Sequence, residues 1–148
     1  MSEPLRELIA ATAALLDQHR RIDGVSRAFT AAGCVTILIG QTVISPPRWT
    51  VVAAAIVVLA GLAEAYFAIR IGFDAALFQR VANTPGRVDF GPMDAALMRL
   101  GFRADTGSSR PVDSRIAGTM RLFWLQTVAL GMQVLAVLAA AATELTRN

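Results

Sequence analysis

Lysine is absent from this 148-residue chain, and cysteine and histidine occur once each. The lone Cys34 excludes a disulfide framework or a cysteine-built metal site within one chain. It reads as a small packing residue inside an apolar stretch. The lone His19 cannot supply the paired histidines of a zinc enzyme. No apolar stretch contains a histidine, so haem would lack an axial imidazole between membrane helices. The chain also has no glycine-rich phosphate loop and no nucleophile elbow. His19 flanked by Asp17 and Asp23 is a poor acid–base constellation and an incomplete metal site. The sequence therefore predicts no cofactor, no metal and no enzymatic activity.

Charge is scarce as well. Charged residues make up 17% of the chain and hydrophobic residues 55%, against about 25% and roughly 45–50% in soluble domains. All 14 basic residues are arginine. With the alanine richness, this suggests a GC-rich bacterial genome. The arginines border apolar blocks and form no stripe interleaved with aromatics, so nucleic acid is not an expected partner. The segment before the short apolar run 9–16 carries Glu3 and Glu7 against Arg6, the wrong balance for a signal peptide.

The apolar residues are gathered into three long stretches. Residues 28–45 and 122–143 hold no charge, and 50–69 holds only Glu64. A bilayer core needs about 20 apolar residues in a helix, and backbone groups in lipid must be satisfied within the segment. Glu64 costs roughly 2.5–3.5 kcal/mol at a helix centre, and the nine Leu, Ile, Val and Phe residues around it return a similar sum. The expected fold is all-α: an integral membrane helical bundle with three transmembrane helices. It forms one membrane domain over 1–148. An amphipathic N-terminal helix in 1–27, with Leu5, Leu8, Ile9, Leu15 and Leu16 recurring at helical spacing, would lie on the membrane surface and bend near Gly24. A cytoplasmic helical loop over 70–121 would separate the last two spans. Its first helix would run to about Asn83, with Phe73, Leu77 and Val81 on one face and Arg70 paired to Asp74. A short helix is expected at 92–100. Prolines 46 and 47 predict a tight turn between the first two spans.

Twelve arginines fall before the first span or between the second and third, and only Arg48 and Arg147 fall on the other side. The positive-inside rule then predicts a cytoplasmic N-terminus and a periplasmic C-terminus in a bacterial inner membrane. Trp49 suits one interface, and Tyr66, Phe67, Phe123 and Trp124 suit the other.

Few polar side chains sit at depth, and these are the candidate site residues. Ionisable groups inside spans usually face protein or water. Counting along the helices puts Glu64 at a depth that Thr30, Gln126 and Thr127 also reach. Gln126 and Gln133 are seven apart and share a face. Such groups bond between membrane helices. Small residues predict close helix packing: Ala32, Thr36 and Gly40 in the first span, and Gly61, Ala65, Ala68 and Gly72 in the second. Arg20, Arg21 and Arg27 are expected to meet lipid headgroups. Two functional readings follow. One is a non-catalytic accessory or assembly subunit of a larger membrane complex, with lipids and other membrane subunits as partners. The alternative is a self-associating small transporter or ion-conducting protein that uses Glu64. A lipid-acting enzyme built on Asp17, His19 and Asp23 is a third, weaker reading.

Overall fold

The computed structural model describes residues 3–39, 47–83, 91, 95, 98–99 and 112–146. Four helices account for nearly all of them: α1 (Glu3–Asp17), α2 (His19–Ile39), α3 (Arg48–Asn83) and α4 (Val112–Leu145). No strand occurs among the described residues. α1 with α2 end to end, α3 and α4 are each long and apolar enough to cross a membrane. The chain is thus an all-α, multi-pass membrane protein.

Proline starts α3 earlier than expected. The Pro47 carbonyl accepts from the Thr50 and Val51 amides. Arg48, Trp49 and Thr50 therefore form a first helical turn, where proline just outside the helix removes no needed donor. Most of the predicted turn, including Pro46, lies outside the described residues, as does Gly40. Most of 92–100 lies outside them too. α3 is helical through Asn83, beyond which 84–90, and with them the expected helix end, lie outside the described residues.

The N-terminal helix differs from expectation in two ways. Its interruption is at Gln18, and α2 runs through Gly24 unbroken. At the break the Gln18 amide bonds Leu15 O three residues back. The His19 ring takes over the Leu16 carbonyl, with Nδ1 at 2.6 Å. Nor does α1 lie apart from the bundle. Ile9, Ala13 and Leu16 are buried against Ile71, Ala75 and Phe78 of α3. The stripe that faces the core is Ile9, Thr12, Ala13 and Leu16. Leu8 and Leu15, expected on it, are exposed. Thr12 is accommodated because its hydroxyl donates to Leu8 O at 2.8 Å.

One spacing organises all the helices. The buried residues of α3 are Ala54, Val57, Gly61, Glu64, Ala68, Ile71, Ala75 and Phe78. They alternate by three and four without a fault, the heptad spacing of left-handed helix bundles. In α2 the buried positions are His19, Ser26 and Gly33, seven apart each time. In α4 the run Thr119, Gln126, Ala129 and Gln133 keeps the same phase. This seam displaces two expected faces. Phe73 is exposed while Leu77 and Val81 are half-buried, and Ala32 of α2 is exposed with Thr36 half-buried.

α3 is the central element, antiparallel to α2 on one side and to α4 on the other. Gly33 sits on Val57 and Val58, Thr30 on Gly61, and His19 on Gly72. Beyond Arg70, the Thr119 hydroxyl of α4 donates to Asp74 Oδ2 at 2.9 Å. The Arg70–Asp74 pair expected from spacing gives way to this bond. Arg70 Nη1 instead takes the Tyr66 hydroxyl at 3.0 Å.

Gly61 marks the tightest approach. A Cβ there would collide with Thr30 Oγ1 and lie 2.6 Å from Gln133 Nε2. Gly118 and Gly131 have nothing within 4 Å of that position. Gly61→Ala is expected to lower unfolding stability in detergent by about 1–3 kcal/mol through overpacking. Gly118→Ala and Gly131→Ala should be neutral or slightly stabilising, since alanine favours helix. Denaturation in mixed micelles compares the three directly.

Candidate functional site

The most distinctive chemistry of the chain is buried between its helices. Glu64, Gln126, Gln133 and Ser26 have no accessible surface. Gln126 Nε2 donates to Glu64 Oε1 at 2.6 Å and reaches His19 O at 3.3 Å. One heptad further, Gln133 Nε2 donates to Val57 O and to Thr30 Oγ1, each at 3.0 Å. It also lies 3.4 Å from Ser26 O. Each glutamine thus ties α4 to both α2 and α3.

The two rungs repeat on every helix. Seven residues separate Gln126 from Gln133, His19 from Ser26, and Glu64 from Val57. The lower rung meets a carboxylate on α3, and the upper one meets a backbone carbonyl. That Val57 carbonyl already serves its own helix, and an sp² oxygen has a second lone pair to offer. The amide orientation follows from the partners. Turning either glutamine would set its oxygen against other oxygens.

Several buried polar atoms of the core are left over. Glu64 Oε2, Gln126 Oε1, Gln133 Oε1 and Ser26 Oγ have no protein partner. Both amide groups spend their hydrogens on the neighbouring helices. The site is also closed: Ala68, Ala129 and Val57 are buried around it. A substrate has no face of Glu64 to approach.

Of the residues singled out in the sequence, Glu64, Gln126, Gln133 and Thr30 come together. Thr30 bonds Gln133, though its depth had grouped it with Glu64. Thr127 stays apart, donating to Phe123 O of its own helix. Of the small residues in the second span, Gly61 and Ala68 are buried. Ala65 is half-buried beside the seam, and Gly72 is half-buried against His19. Neither carboxylate near His19 turns to it. Asp17 pairs with Arg20 and Asp23 with Arg27. Arg20, Arg21 and Arg27 are all exposed. Among the described residues, no three His, Cys, Asp or Glu side chains gather as a metal site. Sequence reasoning missed the roles of His19 O, Ser26 O and Val57 O. Backbone acceptors carry no side-chain signal, though the seven-residue spacing of His19, Ser26 and Gly33 was available.

No family model, no curated protein and no solved structure matches this chain.

Two outcomes are expected. Gln126→Leu strands the Glu64 carboxylate and should cost about 1–3 kcal/mol, the penalty for a buried group left unsatisfied. Adding Glu64→Leu should recover part of that loss, so the double variant unfolds later than the single one. A double-mutant cycle in detergent reads the difference. The second outcome concerns Asp74, which lies past Arg70 and outside the charge-free layer. Burial pushes its carboxyl up, opposed by the Thr119 hydroxyl and by Arg70 and Arg115. The folded chain then holds this proton to higher pH than the unfolded chain does. Its contribution to stability is largest at low pH and falls as pH rises above the usual carboxylate range. Asp74→Asn should flatten that slope in a pH series of denaturation curves.

Proposed function

We propose that this chain is a non-catalytic accessory or assembly subunit of a larger complex in a bacterial inner membrane. The observation that carries the reading is where its polar groups are spent. Glu64, Gln126, Gln133 and Thr30 are consumed in joining the three helices of one chain. What faces outward from the apolar layer is a plain surface, including Leu38, Leu59, Leu62, Leu135 and Leu138. Such a surface suits lipid and the helices of other membrane subunits. It offers no group for handling a substrate.

The arginine distribution supports a cytoplasmic N-terminus and 70–121 connection, with a periplasmic C-terminus. α1 and the adjoining parts of α3 and α4 then continue the bundle into the cytoplasm as a second docking surface. The alternative, a conducting homo-oligomer, needs Glu64 at a surface shared between copies. Its enclosure within one chain weighs against that arrangement.

Mild-detergent affinity purification from native membranes is expected to bring down a defined set of other membrane proteins in fixed ratio. Recovery of the chain alone, at monomer mass, would remove the subunit reading. Cation or proton flux in liposomes that Glu64→Gln abolishes would favour the alternative.

A further inference from the structure

The interhelical bonds set residue heights across the bundle. His19 lies beside Gly72, Gln126 meets Glu64 and Thr119 meets Asp74. Counting between these anchors at equal rise brings Arg21, Arg70 and Arg121 to one level, one on each of α2, α3 and α4. All three are exposed. The ion pairs among the described residues engage other arginines, Arg20 with Asp17 and Arg27 with Asp23. Arg70 takes the Tyr66 hydroxyl at 3.0 Å, with its guanidinium carbon 5.9 Å from that ring's centroid. Tyr66 and Trp124 share the next level toward the apolar layer and are 54% and 66% exposed.

The opposite boundary is Arg48. It lies 22 residues before Arg70 on the same helix, or about 33 Å at 1.5 Å per residue. A bilayer core is about 30 Å thick. The ring of three arginines therefore stands one membrane thickness from Arg48, with aromatic side chains just inside it, where such rings settle at interfaces.

We propose that Arg21, Arg70 and Arg121 form a collar that binds the phosphate headgroups of anionic phospholipids in one leaflet. Among the described residues none of the three guanidinium groups forms a direct ion pair, Arg70 acting on Asp74 only through its charge, and all three are exposed on different helices. A compact soluble ligand cannot bridge them, whereas a planar array of phosphates meets all three. Arg20 and Arg27, already neutralised by aspartates, stand outside the collar. The proposal depends on the bilayer placement but not on the subunit reading.

Trp124 reports the collar from one level away. Trp49→Phe leaves it as the only tryptophan, since the chain has two. The full chain is reconstituted into phosphatidylcholine vesicles with a minor share of phosphatidylglycerol, and either lipid carries brominated acyl chains. Brominated phosphatidylglycerol is expected to quench Trp124 well beyond its mole fraction. Arg21→Gln/Arg70→Gln/Arg121→Gln should erase this preference, and Arg20→Gln/Arg27→Gln should keep it. Arg70→Gln alone should weaken it by up to about fivefold, the contribution of one arginine near an anionic surface. The single variant decides the matter if the triple one does not fold. Quenching by both lipids in proportion to their abundance overturns the collar. A preference surviving the triple substitution does so too. A preference that inorganic phosphate abolishes, but sodium chloride of equal ionic strength leaves intact, assigns the arginines to free phosphate and likewise overturns it. No quenching by either lipid would instead remove the bilayer placement itself.

Discussion

Two amide groups set the register of this bundle. Gln126 and Gln133 each reach from α4 to α2 and α3, one heptad apart. Lipid gives helices no hydrophobic reason to associate, because the tails are as apolar as leucine. Packing and interhelical hydrogen bonds must do what burial does in water. Each such bond is worth only about 0.6–2 kcal/mol, yet it is directional. A slip by one residue would swing both glutamines off their partners and expose their amides to hydrocarbon. The polar pair thus selects one alignment among many of similar packing energy.

The small residues follow from that alignment. Glutamine can span from α4 to a backbone carbonyl of α3 only where the helices come close. Gly61 provides the closeness, since Thr30 and Gln133 fill the place of its missing side chain. The unbroken heptad of α3 carries the same register past Arg70 to Ile71, Ala75 and Phe78, where α1 completes the core. The buried glutamines and Glu64 tie the helices within the apolar layer, while Ile71, Ala75 and Phe78 supply the larger apolar core beyond Arg70. This is the division expected when the surroundings change from lipid to water along one bundle.

The broad architecture was legible because the bilayer imposes strict lengths. Charge-free runs of 18 to 22 residues are rare outside membranes, and the structure has helices over all the described parts of them. Glu64, Gln126 and Gln133 stood out because polar groups at depth are few. What escaped was the face each helix turns inward. Among alanine-rich helices several small-residue stripes coexist, and Ala32–Thr36–Gly40 looks as credible as Ser26–Thr30–Gly33 until a partner chooses. Leu8 and Leu15 misled for a related reason. α1 buries Ile9 and Leu16 but completes that face with Thr12 and Ala13, so apolar size alone did not separate the buried leucine from the exposed ones. The break at Gln18 escaped because His19 stabilises it through the Leu16 carbonyl, a local bond that composition does not announce.

A nitroxide scan along α3, in a Cys34→Ala background, tests the central claim most directly. Each site from 50 to 72 is labelled in turn, and its collision rates with oxygen and with a polar nickel chelate are measured in vesicles. The account predicts low rates with both probes at 54, 57, 61, 64 and 68. Sites such as 52, 59, 62 and 69 should be open to oxygen, with the oxygen preference peaking midway between Arg48 and Arg70. Free access at 57, 61 and 64, or nickel access throughout, would contradict it.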